Sequence, residues 1–301
     1  MTTEQKTAIK QQLVSMIDTK KLSQAEAARQ MGMSAPTLWN IINNAWDKVS
    51  TQMWNRVAAW CGYSEKTWLL LETRQLTTVV NLLNDAQENS RMLALCANTG
   101  LGKTTAIKYY HQNNANVYYM LCTVTMTRND FVSELQTVLG LDVPGNLHKR
   151  LQSVIDKLAD AEFPLLILDD AGKLNEGCLR LIQIIYDSLE HRVGIVLVGT
   201  LQLRKFIFAG AAKDRQGFRE LKRRIAYWET LHAPDASTIS VFCRELKIVD
   251  ANAIAFVKRK CQDFGTMREL LTNAQRIAAR HNCPISLSIL ESVHVGDVLE
   301  A

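Results

Sequence analysis

A short segment in which two glycines precede a lysine and two threonines has the clearest chemical pattern in the chain. It reads Ala97-Asn98-Thr99-Gly100-Leu101-Gly102-Lys103-Thr104-Thr105. Glycines allow the backbone N–H groups of such a loop to turn towards phosphate oxygens, and the lysine can reach the β- and γ-phosphates of a nucleotide. The Thr104 hydroxyl is suited to bind Mg²⁺. The pattern therefore predicts a phosphate-binding loop in which residues 98–105 contact the nucleotide.

Two adjacent carboxylates provide a second candidate site. Asp169 and Asp170 directly follow the apolar run Leu165-Leu166-Ile167-Leu168. Four consecutive apolar residues indicate a strand that is buried on both faces, as in a parallel sheet. Because a phosphate-binding loop lies upstream, we expect Asp169 to hold Mg²⁺ through water. Asp170 would then orient or activate the water that attacks the phosphate.

The elements around both segments alternate between strand and helix. Apolar runs predict strands at residues 92–96, 117–124, 165–168 and 194–200, with helical patterns between them. Alternation of this kind is typical of an α/β fold with a parallel sheet. Beyond about Pro234 the strand signal fades, and helical patterns at 239–246, 251–263 and 267–281 predict a helical lid.

The N-terminal segment predicts short helices instead. Ser23 and Ser34 are suitable N-caps for two successive helices, and Gly32 lies in the turn between them, where a positive φ is expected. Helix, glycine turn and helix are spaced as in a helix-turn-helix unit, which would direct Thr37 and Asn40 towards a DNA major groove. A plain helical bundle without a DNA role is the alternative interpretation.

Charge is unevenly distributed along the 301 residues, whose net charge is +5. Between Leu203 and Arg224 the sequence has eight basic and two acidic residues, which favours a polyanion partner or, equally, a solvated helix face. The seven cysteines are at least 18 residues apart, which excludes Cys-x-x-Cys metal spacing and suggests reduced thiols in the cytoplasm. No apolar run approaches about 18 residues, so no membrane partner is expected.

The motifs resemble those of an AAA+ ATPase, and within that class those of the phage Mu transposition protein B group. Residues 96–104 are similar to the family's Walker A motif, with Ala97 in place of a glycine, and residues 165–171 are similar to its Walker B motif. Because Asp170 is one methylene shorter than the family's catalytic glutamate, slow hydrolysis of ATP is expected. The resemblance implies further catalytic roles: sensor 1 for Thr200, arginine finger for Arg224 or its neighbour Arg223, and sensor 2 for Arg268.

The resemblance also implies how the chain is organised and what it does. It predicts an all-α helix-turn-helix domain at residues 1–63, an α/β ATPase core at 64–233 and a helical lid at 234–301. Proteins of this group bind ATP, assemble as filaments on double-stranded DNA with little sequence preference, and activate a partner transposase. The expected partners are therefore duplex DNA, further copies of the chain in a helical filament or ring, and a transposase, in the cytoplasm of a bacterial host cell.

Basic residues in loops that face the interior of such a filament are expected to meet DNA phosphates. The candidates are Arg128, Lys149 and Arg150. Two other functions remain open. One is a helicase loader or replication factor of the same class, and the other is an ATP-switched transcription regulator whose helix-turn-helix reads a defined operator.

Overall fold

The N-terminal segment forms four α-helices in the computed structural model. The structure describes residues 1, 3–63, 70–189 and 192–293, so the predicted linker start at 64–67 lies outside the described part. Helices α1 to α4 cover Thr3–Thr19, Gln24–Gln30, Ala35–Ile42 and Thr51–Trp60. Their shared core is apolar, and its fully buried side chains include Ile9, Leu13, Leu38, Ile41 and Trp54.

The predicted serine caps fix the starts of α2 and α3. The Ser23 hydroxyl accepts a hydrogen bond from the Glu26 N–H at 3.2 Å, and the Glu26 carboxylate accepts one from the Ser23 N–H at 3.1 Å. This reciprocal pair is a capping box. Ser34 accepts from the Thr37 N–H at 3.3 Å, and Gly32 between the two helices has a φ of +63°. The predicted helices and the turn between them are confirmed.

A five-stranded sheet follows helix α5, which covers Arg74–Glu88. Its strands and the helices between them are, in chain order, β1 Met92–Cys96, α6 Lys103–Asn113, β2 Val117–Leu121, α7 Arg128–Val138, α8 Leu147–Ala159, β3 Leu165–Asp169, α9 Glu176–Ser188, β4 Gly194–Gly199, α10 Leu201–Ala212, α11 Phe218–Arg224 and β5 Ile225–Thr230. The strand order is β2-β3-β4-β1-β5, and β2 with β3, β3 with β4, and β4 with β1 pair in parallel. The predicted α/β fold with a parallel sheet is confirmed.

Helices cover both faces of the central strands. Every residue of β1, β3 and β4 is buried, which explains why the sequence of each reads as an uninterrupted apolar run. A large apolar core packs the sheet against α7 to α11, with Phe131, Val154 and Ile182 fully buried in it. The carboxyl ends of the strands are therefore held rigidly, and the loops that follow them carry the candidate site residues.

Two strands end earlier than predicted. Strand β2 stops at Leu121 instead of residue 124, because the chain turns after Cys122 and the Met126 N–H donates to the Thr123 carbonyl at 3.3 Å. Strand β4 stops at Gly199, because Thr200 is the N-cap of α10 and accepts a hydrogen bond from the Gln202 N–H at 3.3 Å. In both cases, a local turn or cap overrides the β propensity of the threonine and valine residues.

The C-terminal segment is helical, as predicted, with α12 at Ala236–Glu245, α13 at Ala251–Lys260 and α14 at Phe264–Arg280. Helix α13 ends three residues before the predicted end at residue 263, because Asp263 caps α14 and accepts a hydrogen bond from the Thr266 N–H at 2.8 Å. A further short helix, α15 at Leu287–Ser292, was not predicted. These helices share their own apolar core, in which Met267 and Leu271 are fully buried.

The described residues belong to two compact units. The first comprises those of Met1–Lys66, Val80–Cys96 and Thr104–Glu229, and the second those of Thr67–Val79, Ala97–Lys103 and Thr230–Ala301. The domain boundaries inferred from the sequence, after residues 63 and 233, remain predictions.

The cysteines are all free thiols, and six of the seven are buried, with Cys283 exposed. Within the described ranges, no helix combines the length and the apolar character that a membrane crossing requires.

Candidate functional site

The predicted phosphate-binding loop connects β1 to α6, and its two glycines adopt conformations that other residues rarely do. Gly100 and Gly102 have φ values of +78° and +81°. A side chain at Gly100 would also collide with the Asp263 carboxylate, since a Cβ atom there would lie 2.4 Å from its Oδ1. The glycines of the motif are therefore required by the backbone of the loop itself.

Lys103 is the first residue of α6, and its ammonium group is folded onto the loop. Its Nζ donates to the carbonyl oxygens of Ala97 and Asn98, at 2.8 Å each. The side chain is buried, with 9% of its surface exposed. The lysine is thus held at the start of the helix, where the helix dipole also favours an anion.

The loop also contacts the start of α14. The Gly100 carbonyl accepts hydrogen bonds from the N–H groups of Phe264 and Gly265, at 3.0 and 3.2 Å. These N–H groups belong to the first turn of the helix, where backbone donors have no partner within the helix. Arg268 lies one turn further along α14 and is exposed. The residue proposed as sensor 2 is therefore on the helix whose first turn touches the loop.

The structure brings Thr104 and Asp169 together. Asp169 ends β3 with 2% of its surface exposed, and its Oδ2 accepts a hydrogen bond from the Thr104 hydroxyl at 2.9 Å. The same oxygen accepts from the Tyr119 hydroxyl at 3.2 Å, and Oδ1 accepts from the Asp170 N–H at 3.0 Å. All three donors are uncharged. A buried carboxylate beside a hydroxyl offers the hard oxygen ligands that Mg²⁺ takes, and a divalent cation would compensate its charge.

Asp170 follows in a strained conformation and is engaged by a lysine. Its φ is +56°, in the left-handed region that few residues other than glycine adopt. Its Oδ2 accepts a hydrogen bond from the Lys173 ammonium at 2.7 Å in a partly exposed ion pair. The backbone turn directs the two neighbouring aspartates differently, so Asp169 is buried while Asp170 is accessible.

The residues proposed as sensor 1 and arginine finger lie in the loop after β4 and at the end of α11. Thr200 caps α10 and is partly exposed. The Arg224 guanidinium makes a two-pronged ion pair with Asp187 at the end of α9, with N–O distances of 2.5 and 2.6 Å. The hydrogen bond to Asp187 raises the pKa of Arg224 above its ordinary value. Arg223 beside it is exposed.

The proposed DNA-contacting residues occupy different environments. Thr37 and Asn40 are half-buried on α3, whereas Arg128 at the start of α7 and Lys149 on α8 are exposed. The Arg150 guanidinium instead connects α8 to α7, because it donates to the Gln136 side chain at 2.9 Å, to the Asn129 carbonyl at 3.3 Å and to the Ser133 hydroxyl. The structure therefore gives Arg150 a packing role within the chain.

Two residues that the sequence did not single out stand out in the structure. Trp39 on α3 exposes 54% of its surface, and its only sequence signal was its place between Leu38 and Asn40 on the helix. Tyr119 on β2 contacts Asp169, although 50 residues separate them, and no sequence pattern indicated this. Burial and the nearby Asp169 charge raise the pKa of Tyr119, so its hydroxyl keeps its proton and donates it in a hydrogen bond.

The basic stretch between Leu203 and Arg224 is partly neutralised. Arg215 pairs with Glu176, Arg219 pairs with Asp214 at 2.9 Å, and Arg224 pairs with Asp187. Arg204 and Lys222 lie against the ring of Phe208, 5.3 and 4.4 Å from its centroid. The stretch is therefore a mixed surface of cations and aromatic rings on α10 and α11.

The described residues form an α/β fold with the strand order β2-β3-β4-β1-β5, a glycine loop after β1 and two aspartates at the end of β3. Residues 86–207 match a protein family described as AAA domain. The chain is similar to the ATP-dependent target DNA activator B of Escherichia phage Mu, with 20% identity over 274 residues, covering 89% of this chain and 86% of that protein. It is also similar to the Mu-like prophage FluMu DNA transposition protein B of Haemophilus influenzae, with 26% identity over 192 residues, covering 60% of this chain and 64% of that protein.

A solved structure of NtrX from Brucella abortus in complex with ATP shares the fold. The TM-score is 0.51 at 13% sequence identity, and the match covers 85% of this chain and 63% of that one. The chain thus spans less than two thirds of the NtrX chain.

Proposed function

We propose that this protein is an ATP-dependent DNA-binding ATPase that acts in DNA transposition. The observation that carries the nucleotide part is the hydrogen bond of 2.9 Å between the Thr104 hydroxyl and the buried Asp169 carboxylate. It joins the helix after a glycine loop to the end of a buried parallel strand, which is the arrangement that a nucleotide with Mg²⁺ requires.

In this proposal residues 98–105 cradle the phosphates of ATP. Lys103 exchanges its bonds to the Ala97 and Asn98 carbonyls for the β- and γ-phosphates, and Thr104 and Asp169 hold Mg²⁺. When bound, Mg²⁺ would neutralise charge on the phosphate oxygens. The roles proposed for Thr200 and Arg268 are those of sensor 1 and sensor 2, which the resemblance implies.

Hydrolysis is proposed to be slow. Asp170 is the candidate that orients the attacking water, yet its carboxylate is shorter than a glutamate and is paired with Lys173 at 2.7 Å. The Lys173 ammonium occupies one carboxylate oxygen of Asp170 that would otherwise be available to the attacking water. Slow turnover is compatible with a protein in which bound ATP holds an assembly together and hydrolysis releases it.

The DNA part of the proposal is supported by the similarity to the ATP-dependent target DNA activator B, aligned over 89% of this chain, and to the DNA transposition protein B. We propose that the protein assembles with ATP on double-stranded DNA of any sequence and activates a partner transposase. Thr37 and Asn40 on α3, with Arg128 and Lys149 on the ATPase core, are the proposed DNA contacts. Arg150 is a weaker candidate, because its guanidinium already donates hydrogen bonds to residues of α7.

Assembly would also involve Arg224. An arginine finger stabilises the charge on a γ-phosphate bound by the neighbouring subunit, and a guanidinium suits this because it binds oxygens in pairs. In the described chain the same fork binds Asp187. Arg224 would therefore exchange an intramolecular carboxylate for a phosphate when a second copy docks.

The test is electron microscopy and sedimentation of the full chain with duplex DNA of arbitrary sequence, in the presence of ATP, ADP or no nucleotide. The expected result is filaments on DNA with ATP only. Protection of one operator-length sequence would instead identify a transcription regulator. ATP binding with assembly only on a replicative helicase would identify a loader.

A further inference from the structure

A tyrosine outside the recognised motifs touches the carboxylate proposed to hold Mg²⁺. The Tyr119 hydroxyl donates to Asp169 Oδ2, the same oxygen that accepts from the Thr104 hydroxyl, at 3.2 and 2.9 Å. Tyr119 lies on β2, opposite Ile167 of β3 in the parallel pairing. Because two neighbouring strands place them, the phenol and the carboxylate have little freedom to separate.

The ring of Tyr119 packs against His111 in the last turn of α6. The two ring centroids are 6.2 Å apart, with an angle of 54° between the ring planes. Helix α6 is also the helix that begins with Lys103 and Thr104. The imidazole therefore contacts the tyrosine from the far end of the helix that carries the phosphate-binding lysine.

His111 is in turn held by a lysine from the N-terminal helices. Lys20, just after α1, exposes only 6% of its surface. Its Nζ lies 2.9 Å from the Val117 carbonyl and 3.1 Å from His111 Nδ1. Lys20 donates to the Val117 carbonyl, and which partner donates between Lys20 Nζ and His111 Nδ1 depends on the histidine tautomer. Val117 begins β2, the strand of Tyr119.

Burying this lysine is energetically unfavourable, and burial lowers the pKa of Lys20 to about 7. The contact is nevertheless supported by other bonds between the N-terminal helices and the core. Glu26 of α2 pairs with Lys157 of α8 at 2.8 Å, and the Gln112 amide donates to the Cys61 carbonyl at 3.0 Å. The N-terminal helices are thus fixed against α6, α8 and β2 with Lys20 inserted among them.

We infer that Tyr119 is a positioning residue for the Asp169 carboxylate. We also infer that Lys20 of the N-terminal segment fixes the position of the Tyr119 side chain through His111. This inference rests on the proposed ATP and Mg²⁺ site. It connects the N-terminal helices to the nucleotide site through His111 and Tyr119, independently of any DNA that these helices bind. A change in the docking of these helices would alter the affinity for Mg²⁺ before it altered the phosphate contacts.

The first experiment compares Tyr119→Phe with Tyr110→Phe. Both variants lose one hydroxyl, but the Tyr110 hydroxyl bonds Asn84 and Gln87 at 2.7 and 2.8 Å and does not touch Asp169. Binding of a fluorescent, non-hydrolysable ATP analogue is measured while Mg²⁺ is titrated from zero.

For Tyr119→Phe we expect unchanged binding without Mg²⁺ and a rise of about 10-fold in the Mg²⁺ concentration at half-effect, as is typical when a partner of a metal ligand is removed. Tyr110→Phe should match the parent in both. An unchanged Mg²⁺ midpoint in Tyr119→Phe would overturn the inference. Absence of any Mg²⁺-dependent binding by the parent protein would instead contradict the proposed function.

The second experiment tests the connection to the N-terminal segment. Lys20→Met should raise the Mg²⁺ midpoint in the same direction, by about 3-fold, and should add nothing when combined with Tyr119→Phe, because coupled residues are not additive. The neighbouring exposed Lys21→Met is the matched control. Where Lys20→Met does not fold, His111→Phe removes the Nδ1 atom that Lys20 contacts and keeps a ring. Lys20 does not act through Tyr119 if the two substitutions raise the Mg²⁺ midpoint additively, or if Lys20→Met has the Mg²⁺ midpoint of the parent.

Discussion

At the scale of single residues, the proposed nucleotide site depends on the hydrogen-bond partners of its side chains. Lys103 donates to two loop carbonyls at 2.8 Å, and phosphate oxygens would have to replace these acceptors. Asp169 is buried and accepts hydrogen bonds from uncharged donors, whereas Asp170 beside it pairs with Lys173. The two adjacent carboxylates therefore differ in their surroundings, and substitutions should distinguish the roles proposed for them.

Lys103→Ala is expected to abolish ATP binding and, with it, ATP-dependent retention on DNA. The reason is that no other group of the loop supplies positive charge to the β- and γ-phosphates. Binding of a fluorescent nucleotide and a filter assay with duplex DNA measure the two effects. The exposed Lys108→Ala on the same helix is the control and should behave as the parent. Full ATP-dependent DNA retention by Lys103→Ala would contradict the assignment of the loop.

Asp170→Asn is expected to stop ATP hydrolysis while filaments on DNA persist, because an amide cannot act as a base. Asp170→Glu should hydrolyse ATP at least as fast as the parent, since the longer side chain brings a carboxylate nearer the attacking water. Phosphate release and electron microscopy are the measurements, and the exposed Asp142→Asn is the control. Parental turnover by Asp170→Asn would move the catalytic role to another residue.

At the scale of helices and strands, ion pairs determine which surfaces are available. Helix α11 ends in three basic residues, of which Arg224 is bound to Asp187 at the end of α9. Helix α2 is joined to α8 by Glu26 and Lys157. The first pair holds a residue proposed to act on a second copy, and the second pair holds the N-terminal helices on the core.

Arg224→Ala should block assembly and turnover but leave ATP binding by the isolated subunit intact, with a loss in rate of about 10³-fold or more for a finger that acts between subunits. Arg268→Ala should instead weaken nucleotide binding within one subunit. Mixing with Lys103→Ala subunits, which keep Arg224, should partly restore the turnover of Arg224→Ala and not that of Arg268→Ala. If neither is restored, the role belongs to Arg223 or to no residue of this helix.

Loss of stability in acid should be less steep in Glu26→Gln than in the parent. The hydrogen bond from Lys157 is the main reason that the pKa of Glu26 is lowered to about 2 from 4.5. A lowered pKa contributes stability that is complete above the unfolded value and is lost as the pH falls from about 4.5 towards 2. Because the pair is partly exposed, we expect it to contribute about 1 kcal/mol to the free energy of unfolding. Urea unfolding of both proteins at pH 7 and pH 3 measures this contribution. The prediction is contradicted if the difference in free energy of unfolding between parent and variant is the same at both pH values.

At the scale of the whole molecule, a net charge of +5 is small, and several of its cations are already paired within the chain. If Arg128 and Lys149 are the DNA contacts on the core, as proposed, each subunit binds few phosphates through it. Under the proposed function, tight binding to DNA would then require many copies acting together, which ATP would promote. This favours an assembly over a single subunit that reads one sequence.

Affinity for arbitrary duplex DNA should fall steeply with salt and vary little with sequence. Each phosphate contact contributes about −0.9 to the slope of log affinity against log salt, so several contacts give a slope of about −3 or steeper. Fluorescence anisotropy with ATP at several salt concentrations measures the slope, and Arg128→Ala should reduce it by about 1. A shallow slope together with one strongly preferred sequence would indicate a transcription regulator.

The sequence by itself determined the features that depend on neighbouring residues. The glycine loop, the buried strand before Asp169, and the caps at Ser23 and Ser34 follow from backbone conformation and periodicity within about a dozen residues, and all of them are present in the structure. The strand ends at Leu121 and Gly199 were missed, because a turn and a cap at those positions compete with β propensity.

Only the tertiary structure decided which distant residues meet. Tyr119 and Asp169 are 50 residues apart, Arg224 and Asp187 are 37 apart, and Lys20 and His111 are 91 apart. Such pairs are set by strand order and by helix packing, which bring chain segments together without leaving a local pattern. The physical reason is that a hydrogen bond depends on the distance between two atoms in space, whereas a sequence motif records only their separation along the chain.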